Sequence, residues 1–301
     1  MNDELNNNVR LKLAVQKSGR LADDSRALLE KCGIRFTKSK DQLFCTAQDF
    51  PLDLFFVRDD DIPAFVASGV CQIGIVGQNV LSEEKLLSKN KKLQDVEEVL
   101  PLGFGKCRLS IAIPYGFEYE NAQSLQGKVI ATSYEGLLSE FLMLNNVEVE
   151  IVDMRGAVEI APRVGMADAI CDLVSTGATL AVNGLQEAEV IFKSQSVLIK
   201  GTEISDNQQQ ILDRLLMRIR GVLQAENSKY IMFHAPIQSL DELRNVIPGS
   251  DAPTVLELQG RTDKVAVHAV CNEDVFWDTM EDLRSKGATD ILVVPIEKML
   301  E

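Results

Sequence analysis

Apolar and polar positions in the first two hundred residues form short apolar runs separated by longer amphipathic segments. The runs at 11–15 (LKLAV), 52–57 and 72–76 end in turn or charged residues and predict buried strands. The segments between them have helical spacing, and the first extends from Leu21 to Cys32, where Gly33 ends it. Strands that alternate with helices predict a parallel sheet covered on both faces.

A second unit of the same kind follows. We predict strands at 109–113, 128–132, 147–152 and 169–174 and a helix at 137–144, whereas the lysine-rich segment 85–92 is expected to be a solvated helix end and loop. Strands near 190–192 and 197–199 are expected to return to the first unit. The prediction is therefore a two-lobed α/β body, with domain I formed by 1–103 plus 186–225 and domain II by 104–185.

The last third of the chain has a different pattern. Apolar residues recur with a 3.6-residue period between 211 and 223, which predicts a helix from about 204 to 225, about 33 Å long. The order of elements from 226 to 301 is then strand, helix, strand, strand, helix, strand. This βαββαβ order is ferredoxin-like and is typical of a small ligand-sensing module rather than a large catalytic cleft.

Composition and charge exclude several classes of protein. Hydrophobic residues make up 46% of the chain and no apolar run reaches the 18 or so residues that span a bilayer, which indicates a globular protein without a membrane association. The polar N-terminus is unlike a signal peptide, so we expect a cytoplasmic location. The six cysteines form no CxxC pair and are expected to be reduced and mostly buried.

The net charge of −14 argues against nucleic-acid binding. It does not exclude small polyanionic substrates, provided that their site is locally basic or assisted by a metal. One basic cluster lies at the N-terminus, where four cations fall close together: Arg10, Lys12, Lys17 and Arg20.

The segment from Glu159 to Leu180 (EIAPRVGMADAICDLVSTGATL) contains the most informative candidate chemistry. A strand leads through Asp172 to small hydroxyl residues and Gly177 before an apolar helix start. Such a turn cradles a phosphate with backbone N–H groups and hydroxyls, and a carboxylate one strand-end away suits a ribose diol. The alternative is an N-capped helix without a ligand, and spacing alone leaves both interpretations open.

The same segment resembles the signature of the ATP phosphoribosyltransferases, a family that opens histidine biosynthesis. The signature residues stand in register here: Glu159, Gly165, Ala167, Asp172, Ser175, Thr176, Gly177, Thr179 and Leu180. The resemblance extends over the whole chain and to the long form of the family, through the strings LAVQKSGRLADDSRALLEKCGI, VRDDDIPAFVASGV, IGIVGQNVL, CRLSIA, IATSY, SKYIMFHAP, APTVLEL and ILVVPIEKM.

The resemblance implies a reaction and a donor site. Adenine N1 of ATP would attack C1′ of phosphoribosyl pyrophosphate (PRPP), releasing pyrophosphate and N1-(5-phosphoribosyl)-ATP. The implied PRPP-binding residues are Glu159, Asp172, Leu173, Val174, Ser175, Thr176, Gly177, Ala178 and Thr179. No nucleophile–base pair is visible, so we expect electrostatic catalysis in which Lys17, Arg20 and Asp172 are the catalytic residues.

Cations near strand ends are the candidates for polyphosphate contacts. The turn Lys17-Ser18-Gly19-Arg20 follows the first strand, and ligands of open α/β sheets bind beyond the carboxyl ends of strands. Without the family, a solvated turn explains it as well. With the family, the predicted ATP and polyphosphate contacts are Lys17, Gly19, Arg20, Arg58 and Arg108.

The run Asp59-Asp60-Asp61 precedes a helix with proline in its first turn. It fits either a magnesium site or a helix cap, and we favour the cap. Mg²⁺ is expected as a cofactor that arrives on the substrates, because it binds phosphates with few protein carboxylates. No protein metal ligand is assigned.

The C-terminal module carries both histidines, His234 and His268. A lone histidine in an apolar strand is more often structural. In the long-form family this module binds L-histidine as a feedback inhibitor, and the matching positions are His234, Thr254 and Ala269. The family further implies a homo-oligomer of dimers that assemble into hexamers.

Two other functions remain as alternatives. Two α/β units joined by crossing segments also describe periplasmic-type solute-binding proteins, although the missing signal peptide argues against one. Another phosphoribosyltransferase is the second alternative. Such enzymes usually carry two adjacent acids before their loop, whereas here Cys171 precedes Asp172.

Overall fold

The chain folds into two compact units, Met1–Leu212 and Asp213–Glu301. The computed structural model describes residues 9–39, 41–244, 246, 253–272 and 276–300. Among these residues, no helix is both long enough and apolar enough to cross a membrane. All six cysteines are free and five are buried, with Cys107 half-buried, which confirms the sequence prediction.

Within the described residues, the first sheet of unit 1 has six strands: β1 (Leu11–Gln16), β2 (Phe44–Thr46), β3 (Leu52–Val57), β4 (Ile73–Gly77), β5 (Glu97–Pro101) and β11 (Ser196–Lys200). Their order is β2-β3-β1-β4-β11-β5. The central strand β1 pairs in parallel with β3 and β4, whereas β2 and β11 run antiparallel to their neighbours. The sheet is therefore mixed rather than wholly parallel.

The helices of this lobe are α1 (Arg20–Lys31), α2 (Ile62–Ala67), α3 (Gln78–Leu87) and α4 (Lys91–Gln94). The lysine-rich segment 85–92 thus ends one helix and begins another, and the Asn90 side chain caps α4 by accepting from the Lys92 N–H. Leu11, Leu13 and Ala14 on β1 are fully buried, as the apolar run predicts for a strand with both faces covered.

The second sheet, as far as the structure describes it, contains β6 (Cys107–Pro114), β7 (Val129–Thr132), β8 (Glu150–Asp153), β9 (Ala169–Val174) and β10 (Leu185–Ser194), in the order β10-β6-β9-β7-β8. Its helices are α5 (Glu135–Asn145) and α6 (Ala178–Val182). One prediction was wrong here. The strand that contains 190–192 pairs with β6 in this sheet, and only the strand that contains 197–199 returns to the first sheet.

Two connections join the lobes side by side. The chain leaves the first sheet after β5 through residues 102–106 and returns through Gln195 between β10 and β11. The N–H of Leu102 donates to the Ser196 carbonyl, and the N–H of Ser196 donates to the Phe104 carbonyl, each at 2.9 Å. The predicted double crossing is therefore confirmed, and the two crossing segments are hydrogen-bonded to each other.

Helix α7 (Asp206–Glu226) contains the boundary between the units. The described part of unit 2 then gives β12 (Ser228–Pro236), α8 (Leu240–Arg244), β13 (Thr254–Glu257), β14 (Lys264–Asn272), α9 (Phe276–Ser285) and β15 (Thr289–Pro295). The sheet order β13-β14-β12-β15 is antiparallel throughout. The βαββαβ prediction is confirmed, although the predicted helix starting at Asp274 begins outside the described residues.

Candidate active site

A cavity of about 650 Å³ opens between the two lobes of unit 1. Residues from the first lobe include Gln16, Arg20, Asp59 and Asn79, and the second lobe adds Tyr134. The crossing segments close one side, and the strand end of β9 contributes Leu173 and Ser175. Both predicted regions, the N-terminal turn and the loop after β9, therefore meet at one cleft.

The N-terminal turn places its two cations differently. The Lys17 N–H donates to the Val57 carbonyl at 2.8 Å, which continues the parallel pairing of β1 with β3. Gly19 has φ of 97° as the residue before α1, a conformation that glycine adopts without strain. Both residues are exposed, but Arg20 starts α1 and lines the cleft, whereas Lys17 lies outside the lining.

The acidic run after β3 does not form the predicted side-chain cap. Asp61 occupies the N-cap position of α2 with helical φ and ψ of −80° and −22°, and its side chain makes no capping hydrogen bond. Asp59 instead lines the cleft, and burial raises the pKa of its carboxyl, with the neighbouring Asp60 adding to the rise. Arg58 is exposed and lies outside the lining of this cavity.

The loop after β9 keeps an open, glycine-dependent form. Ser175, Thr176, Ala178 and Thr179 are exposed, while Leu173 and Gly177 are half-buried and Val174 is 3% exposed. Gly177 has φ of 80° before the five-residue helix α6. A Cβ at Gly177 would meet nothing within 4 Å, so the glycine serves backbone conformation rather than packing.

Asp172 is the half-buried carboxylate of this loop. It lies on β9 opposite Ser110 of β6, and its Oδ1 accepts the N–H of Leu173 at 2.7 Å. Burial raises the pKa of the Asp172 carboxyl, Glu159 adds to the rise, and the Leu173 N–H opposes it. Glu159 comes from a 3-10 turn (Val158–Ile160) on the same face of the sheet, so the two predicted donor carboxylates are neighbours.

Arg108 has a different environment from the one predicted. Its Nε and Nη2 donate to both carboxylate oxygens of Glu187, at 2.5 and 2.6 Å, and its Nη1 donates to the Ser175 carbonyl at 3.0 Å. The guanidinium therefore contacts the donor loop directly. It also lines a second cavity of about 590 Å³, together with Lys106 and Lys193.

The sequence prediction missed a polar bridge between the lobes. Asn79 of α3 donates from Nδ2 to the Tyr134 hydroxyl at 2.9 Å and accepts from Ser194 Oγ at 2.7 Å. One helix turn further on, Glu83 accepts the N–H groups of Gly136 and Leu137 at the start of α5, at 2.7 and 2.8 Å. Asn79 and Tyr134 lie in the strings IGIVGQNVL and IATSY, but single residue types gave no sign of this pairing.

The three residues predicted to bind histidine lie on two faces of the C-terminal sheet. His234 and Thr254 are on the face opposite the helices, where His234 Nδ1 lies 3.0 Å from Asp290 Oδ2 and Thr254 pairs across the strands with His268. Ala269 is 7% exposed in the core beneath α8 and α9. A ligand on the open face would reach Ala269 only through its backbone.

Comparisons with known proteins agree with this architecture. A model of the ATP phosphoribosyltransferase family matches residues 58–221, and a model of the C-terminal domain of that family matches residues 225–298. The structure of the ATP phosphoribosyl transferase (HisG:HisZ) complex from Thermotoga maritima is similar, with 26% identity and a TM-score of 0.60 over 71% of this chain and 98% of that chain.

Periplasmic binding proteins are also similar at lower scores. The alkanesulfonate-binding protein SsuA from Xanthomonas axonopodis pv. citri, bound to MOPS, has 14% identity and a TM-score of 0.45 over 70% of this chain and 71% of that chain. The Gly52Ala mutant of arginine-bound ArgBP from T. maritima has 14% identity and a TM-score of 0.44 over 71% and 98%.

Together, the two-lobed α/β body and the family matches define an enzyme of the pentosyltransferase class. The chain belongs to the ATP phosphoribosyltransferase family of histidine biosynthesis, in the long form that carries the C-terminal domain.

Proposed function

We propose that this enzyme transfers the phosphoribosyl group of PRPP to N1 of the adenine ring of ATP, releasing pyrophosphate. The observation that carries the proposal is the half-buried Asp172 carboxylate beside an exposed hydroxyl loop, at the edge of a cleft that Arg20 lines from the other lobe. As the C1′–O bond breaks, positive charge develops on the sugar and negative charge on the leaving pyrophosphate. A carboxylate near the ribose and cations near the phosphates stabilise that separation.

In this mechanism the loop after β9 holds the donor. Glu159 and Asp172 bind the ribose hydroxyls, and residues 173–179 bind the 5′-phosphate with backbone N–H groups and the hydroxyls of Ser175, Thr176 and Thr179. Adenine N1 has a free lone pair, so no general base is required. The protein then contributes chiefly by positioning the two substrates.

The proposed polyphosphate contacts are Lys17, Gly19, Arg20 and Arg58, of which Arg20 has the strongest support because it lines the cleft. Arg108 is committed to Glu187 and Ser175, so we do not count it among the direct contacts.

The carboxylates present suit Mg²⁺ that is carried by the substrate phosphates. The described residues contain no cluster of three or more His, Cys, Asp or Glu side chains placed to hold a metal, whereas Asp59 lines the cleft as a half-buried carboxylate. Magnesium needs only one or two protein carboxylates when phosphates supply the other ligands, and it would neutralise charge on the leaving pyrophosphate. Asp59 is the side chain best placed to orient it.

The test is pyrophosphate release with ATP and PRPP together, compared with each substrate alone. We expect release only with both, and substitution of GTP or a free base for ATP should abolish it. Binding of a small anion without any turnover would instead favour a solute-binding module and would contradict the proposal.

Arg20→Ala should raise KM for the polyphosphate substrates by about tenfold, the loss of one charge-assisted hydrogen bond worth about 1.5 kcal/mol. The remaining affinity should depend less steeply on added salt than in the parent enzyme, since one fewer cation faces the phosphates. Steady-state kinetics at two salt concentrations measures both. The matched control is Lys31→Ala at the other end of α1, and an Arg20 variant indistinguishable from it would make Arg20 a surface residue.

We further propose that L-histidine inhibits the enzyme by binding the C-terminal domain, at a site that includes His234, Thr254 and the backbone of Ala269. The family relationship supports this, and the open sheet face offers an imidazole, a hydroxyl and the Asp290 carboxylate to an amino acid. Inhibition requires histidine to bind one conformational state more tightly than another. We propose too that copies associate as dimers and hexamers in the cytoplasm. The proposed division into two lobes and a regulatory domain follows the sequence prediction except for β10, which belongs to the second lobe.

His234→Ala should raise the inhibitory concentration of histidine by about tenfold, which is the loss of about 1.4 kcal/mol of differential binding. Uninhibited turnover should stay within twofold. Inhibition curves for this variant, for Thr254→Ala and for the control Arg284→Ala on α9 provide the comparison. Equal sensitivity in all three would place the histidine site elsewhere.

A further inference from the structure

Three adjacent strands of the second sheet share one polar group of side chains. Glu187 lies on β10, Arg108 and Ser110 lie on β6, and Ser175 directly follows β9. The Glu187 carboxylate accepts hydrogen bonds from Arg108 Nε and Nη2, and it also accepts one from the Ser110 hydroxyl at 2.6 Å. The third Arg108 nitrogen donates to the Ser175 carbonyl, so a continuous chain of hydrogen bonds runs from the edge strand to the donor loop.

This arrangement differs from an ordinary surface ion pair. Side chains at the surface rarely hold a fixed geometry, and such pairs contribute little. Here Ser110 is fully buried and fixes one carboxylate oxygen, while the side chains of Arg108 and Glu187 are 33% and 26% exposed. The bidentate contact also orients the guanidinium plane. Arg108 consequently presents its remaining nitrogen to Ser175 in one direction.

Arg108, Glu187 and Ser110 together form a brace, which also lies beside the Asp172 carboxylate. Ser110 is the cross-strand partner of Asp172, and Arg108 is the partner of Val174. Side chains at paired positions share a face of the sheet, so the brace and Asp172 lie on the same face. Displacing Arg108 would release the Ser175 carbonyl at the start of the loop. Asp172 would keep its own hydrogen bond, which it accepts from the Leu173 N–H.

We propose that Arg108 and Glu187 are positioning residues for the phosphoribosyl donor, which hold the loop at 175–179 in its binding conformation through the Ser175 carbonyl. The inference rests on the proposed function, because it takes this loop as the PRPP site. Its consequence is selective: loss of the brace disturbs the donor loop, whereas the Arg20 side of the cleft keeps its structure.

The experiment compares Glu187→Gln, Arg108→Gln and the double variant with the parent enzyme. We expect KM for PRPP to rise about tenfold in each, well within the roughly hundredfold loss that a misplaced group can cause, with KM for ATP within twofold. The double variant should be no worse than the poorer single variant, because both remove the same connection. Amide hydrogen exchange at 175–179 should be faster in all three.

The matched control is Arg35→Gln, which breaks a bidentate pair with Asp49 on the first lobe, away from the cleft lining. It should change neither KM nor exchange at 175–179. Unchanged exchange in the brace variants, or an equal rise in KM for both substrates, would overturn the proposal. Absence of turnover in the parent would refute the proposed function instead, and the exchange measurement would still decide whether the brace orders the loop.

Discussion

Asp172→Asn should lower kcat/KM for PRPP by about 10²–10³, the range found when one electrostatic group is removed from a reacting centre. Asparagine keeps the shape and can still accept the Leu173 N–H, so the change removes mainly the negative charge. That charge is what would stabilise a cationic sugar and hold its hydroxyls. Steady-state kinetics with each substrate varied in turn measures the loss and assigns it to the donor.

The same substitution should leave the enzyme at least as stable at pH 7. Burial raises the folded-state pKa of Asp172 above its ordinary value of 3.8, so the folded protein holds this proton more tightly than the unfolded chain. Stability contributed by Asp172 therefore falls as pH rises through that window, and at pH 7 the ionised carboxylate costs stability. Asparagine carries no such cost, so a lower activity would accompany an equal or higher melting temperature.

Asp153→Asn is the matched control, because Asp153 is an exposed residue at the end of β8 in the same sheet. It should change neither quantity. If Asp172→Asn kept parental kinetics while remaining folded, the donor carboxylate would have to be assigned to another residue.

The hydrophobic pattern predicted most elements because buried positions are occupied by apolar residues. In the strand at 11–15 only Lys12 is exposed, and the periodic apolar residues between 211 and 223 lie within α7. Such a local pattern does not indicate which strands pair with each other. The strand at 185–194 is half-buried along much of its length, and nothing local distinguishes pairing with β6 from return to the first sheet.

The sequence predicted those parts of the candidate site whose residues are close together along the chain. The turn at 17–20 and the loop at 172–179 both carry residues whose types suit phosphate and ribose. Roles that depend on distant partners were missed or misassigned: Arg108 meets Glu187 across 79 positions, and Glu83 meets Gly136 across 53. The Asp61 cap failed for a local reason, because its backbone is already helical whereas an N-cap residue normally has extended geometry.

Among the described carboxylates of unit 1, Glu83 should have the largest effect on stability. It is 6% exposed, and it satisfies two N–H groups at the start of α5, a helix whose own N-cap residue Tyr134 makes no side-chain cap. Carboxylates at a helix N-terminus are stabilising, and buried N–H groups left without a partner cost about 1–3 kcal/mol each. Glu83 on α3 of the first lobe therefore stabilises the start of α5 in the second lobe.

Glu83→Ala should destabilise unit 1 by about 3 kcal/mol, which corresponds to a fall in melting temperature of about 9 °C for a unit of this size. Burial raises the pKa of Glu83 above 4.5, so the stability it confers declines as pH rises through that window and is constant above it. Calorimetry at pH 8 thus reports on the ionised carboxylate alone. The control Glu140→Ala removes an exposed carboxylate from the same helix α5 and should shift the transition by less than about 1.5 °C.

A second substitution disturbs the same contact between α3 and α5 through packing rather than through loss of the hydrogen bonds. Gly136→Ala keeps Glu83 but inserts a methyl group 3.0 Å from Leu86 Cβ and 3.1 Å from a Glu83 carboxylate oxygen, so the two helices must move apart. If Glu83 joins the lobes through the α5 terminus, both variants should lower the same transition, and both should raise KM for ATP and PRPP together because the cleft lies between the joined lobes. A melting temperature for Glu83→Ala equal to that of Glu140→Ala would contradict the assignment. It would mean that the crossing segments and the contact of Asn79 with Tyr134 hold the two lobes together without a contribution from Glu83.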